Sequence, residues 1–104
     1  MKICLIAGES SGDDLGAHLM ADLKSRRPDL EFSGVGGPLM AGQGLPGLFP
    51  MSDLSVMGLA EVLPRLPLLM RRIRQTADHI HAVKPDIVVT IDSPDFCFRV
   101  VRLI

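Results

Sequence analysis

The sequence predicts an α/β domain with a doubly wound parallel sheet, and three observations support this prediction. Short apolar segments typical of buried strands occur at residues 2–7, 31–35 and 86–92. Helical patterns separate these segments and follow the last one, so strands and helices alternate as βαβ units require. A glycine-rich turn follows the first strand directly, at the corner where parallel sheets bind their ligands. Right-handed crossovers then give a Rossmann-like domain of three layers.

The helix after the first strand is predicted from its start signal and its apolar face. Ser11 stands three positions before Asp14, which is an acidic variant of the capping box. The apolar residues that recur at helical spacing are Leu15, Leu19 and Leu23. Pro28 closes this unit. The second strand then ends in glycine, and Pro38 suits the first position of a short helix.

A loop and a long helix occupy the segment before the third strand. Glycine and proline punctuate residues 42–50, and Ser52 and Ser55 are candidate caps for the helix that follows. Pro64 and Pro67 are expected to interrupt or restart this helix. Its second part is predicted to run to about residue 82 with one apolar face, formed by Leu69, Ile73, Ala77 and Ile80.

The third strand is the clearest of the chain. Residues 86–92 are β-branched and almost entirely apolar, as a strand covered on both faces should be. Pro94 and Asp95 mark the start of the next helix. Residues 96–104 keep helical apolar spacing and contain no stop signal. We therefore expect the chain to be the front part of a longer protein.

Composition narrows the class of protein. The formal net charge is −1 and 47% of the residues are hydrophobic, which indicates one domain with an apolar core and no nucleic-acid partner. No segment has the roughly 18 consecutive apolar residues of a membrane span. Cys4 and Cys97 lie in apolar sequence and are expected to be buried, reduced thiols. The prediction is a cytoplasmic protein, soluble or peripheral to a membrane.

The glycine turn is the first candidate binding site. Its pattern of Gly8, Gly12 and Gly16 matches neither the dinucleotide fingerprint nor a P-loop. The fold alone could require such a turn, but Glu9 favours a function because a helix cap does not need it. The candidate substrate-binding residues of the turn are Gly8, Glu9, Ser10, Ser11, Gly12 and Asp13.

Two carboxylates follow the third strand. Asp92 ends a buried apolar strand, where a carboxylate loses solvation and is expected only if it has a bonding partner or a function. It could act as a general base toward a hydroxyl or brace its own loop, and the sequence leaves both interpretations open. Asp95 is a candidate substrate-binding residue, although the dipole of the next helix alone would favour a carboxylate there.

An apolar segment flanked by arginines lies in the long helix. Its apolar residues could face the core, or they could contact a membrane surface or an acyl chain. These residues are Val62, Leu63, Leu66, Leu69 and Met70. The three histidines lack the spacing of a zinc site, so neither a metal nor another cofactor is expected.

Four collinear blocks together resemble the lipid-A-disaccharide synthase family, and they cover essentially the whole chain. The blocks are AGESSGD at residues 7–13, GVGGPLM at 34–40, LSVMGLAEVL at 54–63, and KPD with IDSPDF between residues 84 and 96. Three residues depart from the family pattern: Asp14, Pro67 and Ser93.

The resemblance implies an inverting, UDP-sugar-dependent glycosyltransferase of the GT-B fold. Residues 1–104 would be the incomplete, Rossmann-like acceptor-side domain, without the donor-binding carboxyl-terminal domain, and inactive alone. The implied reaction transfers 2,3-diacylglucosamine from its UDP donor to 2,3-diacylglucosamine 1-phosphate in lipid A biosynthesis, without a metal. Asp92 matches the family's functionally important aspartate, and the five apolar residues match a patch thought to meet membrane or acyl chains.

The resemblance also implies a peripheral location on the inner face of the cytoplasmic membrane, and it is compatible with a homodimer. Two other hypotheses stay open from the residues themselves. One is a standalone, flavodoxin-like module that binds a nucleotide or phosphate. The other is a membrane-docking domain without transferase activity that uses residues 56–74.

Overall fold

The chain folds as a three-stranded parallel sheet with helices on both faces, and the computed structural model describes residues 1–55 and 59–104. The strands are β1, Lys2–Ile6; β2, Glu31–Val35; and β3, Ile87–Thr90. The helices are α1, Ser10–Arg26; α2, Pro38–Gly42; α3, Leu59–Val83; and α4, Pro94–Arg102. A short 3-10 helix covers Met51–Leu54. The predicted alternation of strands and helices is confirmed.

β1 lies in the centre of the sheet, whose strand order is β2-β1-β3. Both neighbours run parallel to it, with Ile3 opposite Phe32 on one side and Ile87 on the other. The connection through α1 leads outward to β2, and the connection through α3 returns across β1 to β3. The carboxyl ends of all three strands therefore meet at one edge of the sheet, as the sequence predicts.

Alternate side chains of β1 form two apolar cores, one on each face of the sheet. On one face Cys4 and Ile6 belong to a buried cluster with Ile80 of α3 and residues of α4. On the other face Leu5 belongs to a cluster with Met20 of α1. Because side chains of a strand alternate with period two, one fully apolar strand can serve both cores. This produces the three-layer arrangement that the sequence predicts.

The start of α1 and part of its buried face differ from the prediction. The N-cap is Glu9, and no side chain caps the helix, so the predicted Ser11 cap is wrong. Leu15 is 61% exposed, whereas Gly16 and Met20 are buried. A methyl group on Gly16 would lie only 2.6 Å from the sulfur of Met40 in α2. The helix therefore packs mainly through small residues and Met20. Of the predicted leucines, Leu19 and Leu23 are partly buried against the same core, and Leu15 lies in solvent.

α3 is a single helix through both of its prolines, so the predicted interruption at Pro64 and Pro67 is wrong. Each proline lacks the N–H that would donate to the carbonyl four residues earlier. The predicted apolar face compensates for this loss by packing on the sheet, with Ala77 and Ile80 buried. The predicted cap at Ser52 lies within the 3-10 helix. Residues 56–58, which precede α3, lie outside the described residues.

β3 is shorter and less covered than the sequence predicts. It spans Ile87–Thr90, and Ile87 is 45% exposed. Val88 and Val89 are only partly buried. Within the described ranges, β3 pairs with β1 alone and forms an edge of the sheet. An apolar composition predicts a strand but cannot tell a central strand from one at an edge.

Candidate functional site

Asp92 braces the glycine turn. It follows β3, and its two carboxylate oxygens accept hydrogen bonds from the backbone N–H groups of Gly8 and of Glu9, the second at 3.1 Å. These N–H groups lie at the amino-terminal end of α1, where the helix dipole favours negative charge. A methyl group on Gly12 would collide with the Asp92 carboxylate, so the glycine permits this close approach. The N–H groups of Gly8 and Glu9, two of the predicted substrate-binding residues, are thus occupied by a side chain of the protein itself.

Two further hydrogen bonds tie this turn to neighbouring segments. The hydroxyl of Ser55 donates to the carbonyl oxygen of Gly8 at 3.1 Å. The thiol of Cys97 donates to the carbonyl oxygen of Asp92 at 3.2 Å. Between Asp92 and α4, Ser93 adopts a left-handed conformation with φ of 51°. The β1–α1 turn, the end of the 3-10 helix and the β3–α4 turn therefore form one connected unit.

Asp13 lies apart from the other predicted substrate-binding residues of the turn. Its side chain is buried, with 2% relative exposure. Its oxygens accept hydrogen bonds from the backbone N–H groups of Gly37 at 2.9 Å, Leu39 at 3.0 Å and Met40 at 2.9 Å. Asp13 therefore holds the start of α2 against α1. By contrast, Glu9 and the two serines that follow it are exposed at the carboxyl edge of the sheet.

An apolar cavity of about 480 Å³ opens beside this turn, between α3 and α4. It brings Glu9 and Asp95 together with four of the five apolar residues that the sequence singles out. Those four are Val62, Leu66, Leu69 and Met70. The fifth, Leu63, is 57% exposed and does not line the cavity. The cavity thus has an apolar wall and two carboxylates at its polar side, which suits a ligand with a lipid chain and a polar head.

Sequence reasoning missed several lining residues of this cavity. Leu54 of the 3-10 helix, Ile73 of α3 and Phe96 of α4 complete the apolar wall, and Arg99 lies beside Asp95. Ile73 follows Leu66, Leu69 and Met70 at helical spacing, so the helical period could have identified it. Leu54 and Phe96 come from other elements, and no local signal connects them to α3.

The part of α3 beside the cavity is fixed to the 3-10 helix by Arg72. Its guanidinium donates to the Asp53 carboxylate at 3.0 Å and lies 4.9 Å from the centre of the Phe49 ring. It also donates to the side chain of Gln75 at 2.8 Å. Arg65 approaches the same carboxylate at 3.7 Å. Arg72, one of the arginines that flank the apolar segment, is therefore a structural residue.

Both cysteines are buried and free, as predicted. Burial raises the pKa of the Cys4 thiol from 9.0 to about 11, an effect that a hydrogen bond with Ser33 partly offsets. Burial raises the pKa of the Cys97 thiol to about 11 as well, and the charge of Asp92 adds to this. His79 is partly buried beside the same serine at 2.9 Å, and burial lowers the pKa of its imidazole. These groups belong to the packed core, not to the cavity.

We expect Cys4 and Cys97 to resist thiol reagents in the folded protein. Relative to a thiol of pKa 9.0, a pKa of about 11 lowers the thiolate fraction at pH 8 about 100-fold. A disulfide reagent should therefore label each cysteine at least about 100-fold more slowly in the folded protein than in protein unfolded by urea. Peptide mass spectrometry measures both labelling rates. The difference should shrink as the pH rises toward 11. Labelling of either cysteine at pH 8 at the rate of an exposed thiol would contradict the described burial.

Within residues 1–55 and 59–104, no three side chains of His, Cys, Asp or Glu are grouped so that they could hold a metal ion. No helix in that part of the chain is long and apolar enough to cross a membrane.

Comparison with known proteins identifies relatives over the whole chain. The family model described as lipid-A-disaccharide synthetase matches residues 3–104. A lipid-A-disaccharide synthase of Ruegeria pomeroyi is 54% identical over 104 residues, which is 100% of this chain and 26% of that protein. One of Rhodospirillum centenum is 60% identical over 101 residues, covering 96% of this chain and 25% of that protein.

A third relative has a slightly lower identity. A lipid-A-disaccharide synthase of Pseudomonas aeruginosa is 51% identical over 100 residues, or 96% of this chain and 26% of that protein. The chain therefore spans about a quarter of the length of the curated relatives that it matches.

Proposed function

Since this chain belongs to the lipid-A-disaccharide synthase family, we propose that it forms the front part of the acceptor-side domain of a GT-B glycosyltransferase. The proposed reaction joins two acylated sugars. The 6-hydroxyl group of 2,3-diacylglucosamine 1-phosphate attacks the anomeric carbon of UDP-2,3-diacylglucosamine. The bond to UDP breaks, and a β-1′,6 bond forms with inversion. The proton of the hydroxyl passes to a base, and UDP leaves with the bonding electron pair.

The cavity between α3 and α4 is the observation that carries this proposal. Its volume of about 480 Å³ is within the range of small-molecule sites, and its wall is formed mainly by leucine, methionine and other apolar side chains. An acyl chain of the acceptor would lie against this wall. The sugar would then lie at the polar side, where Glu9 and Asp95 can accept hydrogen bonds from its hydroxyls. The exposed hydroxyls of Ser10 and Ser11 lie beside Glu9 along the same turn.

Asp92 is the proposed base, and its bracing contacts are compatible with that role. Each of its oxygens accepts one backbone N–H bond, and each carboxylate oxygen has a second acceptor position. The two N–H groups hold the carboxylate in a fixed orientation at the carboxyl end of β3. A preorganised carboxylate near the acceptor hydroxyl is what general base catalysis needs. The UDP site would lie mainly on a carboxyl-terminal domain outside this chain.

The phosphate-binding hypothesis is less well supported. A phosphate at the glycine turn would have to displace the Asp92 carboxylate from Gly8 and Glu9 or approach it against charge repulsion. The neighbouring cavity is mainly apolar, which suits a lipid better than a nucleotide. We therefore favour an acylated sugar as the ligand of this edge of the sheet. We also propose that the enzyme works on the inner face of the cytoplasmic membrane, where it would meet such lipid substrates.

A cavity-filling substitution tests the proposal. In the full-length enzyme, Val62→Phe should raise the KM for the diacylated acceptor roughly 10- to 50-fold, because it displaces about two acyl methylenes worth ~0.8 kcal/mol each or more. The measurement is disaccharide formation from the two acylated sugars. Leu63→Phe is the matched control, because Leu63 is the next residue of α3 and lies outside the cavity. Equal effects of the two substitutions, or none, would contradict acyl-chain binding in the cavity.

A further inference from the structure

One peptide group of the glycine turn is held from both of its sides. The backbone N–H of Glu9 donates to the Asp92 carboxylate at 3.1 Å. The carbonyl oxygen of Gly8 accepts a hydrogen bond from the hydroxyl of Ser55, also at 3.1 Å. Both backbone groups belong to the peptide that links Gly8 to Glu9, and in a planar trans peptide they point in opposite directions. Ser55 and Asp92 therefore hold the same rigid unit between them.

The segment that carries Ser55 is itself anchored to the rest of the domain. Ser55 directly follows the 3-10 helix. The preceding residue, Leu54, is buried in the apolar core beside the sheet. Asp53 is paired with Arg72 of α3 at 3.0 Å, and both of these side chains are partly buried. The hydroxyl of Ser55 therefore approaches the glycine turn from a fixed position.

A hydrogen bond to the carbonyl of a peptide affects the N–H of the same peptide in two ways. It fixes the plane of the peptide, so the N–H of Glu9 keeps its direction toward Asp92. It also polarises the peptide, which makes the N–H a stronger donor. The other N–H that binds Asp92 is that of Gly8, which belongs to a different peptide. Loss of the Ser55 hydroxyl should therefore loosen one of the two bonds that orient the carboxylate and leave the other in place.

We propose that Ser55 is a positioning residue for Asp92, which acts through the Gly8–Glu9 peptide. Its hydroxyl holds this peptide so that the carboxylate of Asp92 keeps one orientation toward the acceptor hydroxyl. The inference rests on the proposed function, in which Asp92 is the base. It adds a catalytic contribution from a side chain that does not contact the reacting atoms.

The position of Ser55 separates this role from substrate binding. Leu54 lines the apolar cavity, but Ser55 is not among the lining residues. The apolar wall proposed to hold the acyl chain therefore keeps its side chains when the hydroxyl of Ser55 is removed. A positioning role then predicts a change in kcat without a matching change in the KM for the acylated acceptor.

Turnover of the full-length enzyme tests this proposal. Ser55→Ala should lower kcat about 3- to 10-fold, which is the effect of losing one neutral hydrogen bond. The KM for the acylated acceptor should change less than about twofold. Ser55→Thr retains the hydroxyl and should restore kcat to within about twofold of the unmodified enzyme. The matched control is Ser52→Ala, which should leave kcat unchanged, because Ser52 is exposed and lies in the adjoining 3-10 helix.

Coupling to Asp92 distinguishes positioning from a general loss of stability. If Ser55 acts through the Asp92 carboxylate, adding Ser55→Ala to Asp92→Asn should lower kcat further by less than about 1.5-fold. Three outcomes would overturn the proposal. They are a full additional loss in this double variant, a normal kcat in Ser55→Ala, and a failure of Ser55→Thr to restore kcat.

Amide exchange separates failure of this inference from failure of the proposed function. Ser55→Ala should speed exchange of the Glu9 amide about 3- to 10-fold, whereas Ser52→Ala should leave it unchanged. An unchanged Glu9 amide in Ser55→Ala would overturn this inference alone, provided that the unmodified enzyme forms the disaccharide. Absent disaccharide formation by the unmodified enzyme would instead overturn the proposed function, and with it the base that Ser55 is proposed to position.

Discussion

Replacing Asp13 with alanine is expected to destabilise this domain by about 3–5 kcal/mol, because two buried N–H groups and one partly buried N–H group would lose their acceptor at once. The Asp13 side chain is 2% exposed, and it binds the N–H groups of Gly37, Leu39 and Met40. A methyl side chain could replace none of these bonds. It would also leave a small void between α1 and the start of α2 into which water has little access.

Amide hydrogen exchange in the full-length enzyme measures this effect locally. For peptides covering residues 36–41, Asp13→Ala should speed exchange by about two to three orders of magnitude. Asp14→Ala is the matched control, since Asp14 is the next residue of α1 and its carboxylate is exposed, 3.6 Å from His18. That control should change exchange little. Equal protection in both variants would show that the start of α2 does not depend on Asp13.

The two neighbouring aspartates show where sequence reasoning fails. The capping-box pattern favours Asp14, because it compares residues three positions apart. The contacts of Asp13 instead span 24, 26 and 27 positions of sequence. No local spacing predicts such contacts, because they exist only after β2 has paired with β1. The oxygens of Asp13, a predicted substrate-binding residue, are already used within the fold.

The secondary-structure predictions are correct where they rest on a local sequence pattern. The bounds of β2, the start of α2 at Pro38 and the buried face of the later part of α3 follow from composition and helical period alone. The interruption at Pro64 and Pro67 fails because packing of the later part of α3 on the core outweighs two missing hydrogen bonds. Ile87 is exposed on β3, which pairs with β1 alone within the described part of the chain.

The individual residues of the candidate site could be predicted from the sequence, but their spatial arrangement could not. Glu9 and Asp95 follow different strands, and parallel strands bring their carboxyl ends together, so their proximity could be expected. Their proximity to Val62 and Leu66 could not, because it depends on how α3 lies against α4. The cavity arises from that packing geometry. Its apolar wall supports an acyl-chain site over the alternative in which these residues face only the core.

Replacing Asp92 with asparagine is expected to lower kcat of the full-length enzyme by about 10²- to 10⁴-fold, which is the usual contribution of a general base. Asparagine is nearly the same size but does not accept a proton at neutral pH. It retains one acceptor oxygen, so one of the N–H groups of Gly8 and Glu9 would face an amide donor. That mismatch should cost about 1–3 kcal/mol locally. The assay is disaccharide formation with saturating acylated sugars.

Comparing activity with local order separates the base role of Asp92 from its bracing role. Asp95→Asn is the matched control, because Asp95 also lies at the polar side of the cavity and is exposed. We expect this substitution to lower kcat less than tenfold. If Asp92 is the base, kcat falls in Asp92→Asn while amide exchange at Gly8 and Glu9 rises only modestly. Near-normal turnover would remove Asp92 from the base role. If activity is lost and the amides of Gly8 and Glu9 also lose all protection from exchange, Asp92 has a structural role only. Its carboxylate then serves to hold the start of α1 beside the cavity.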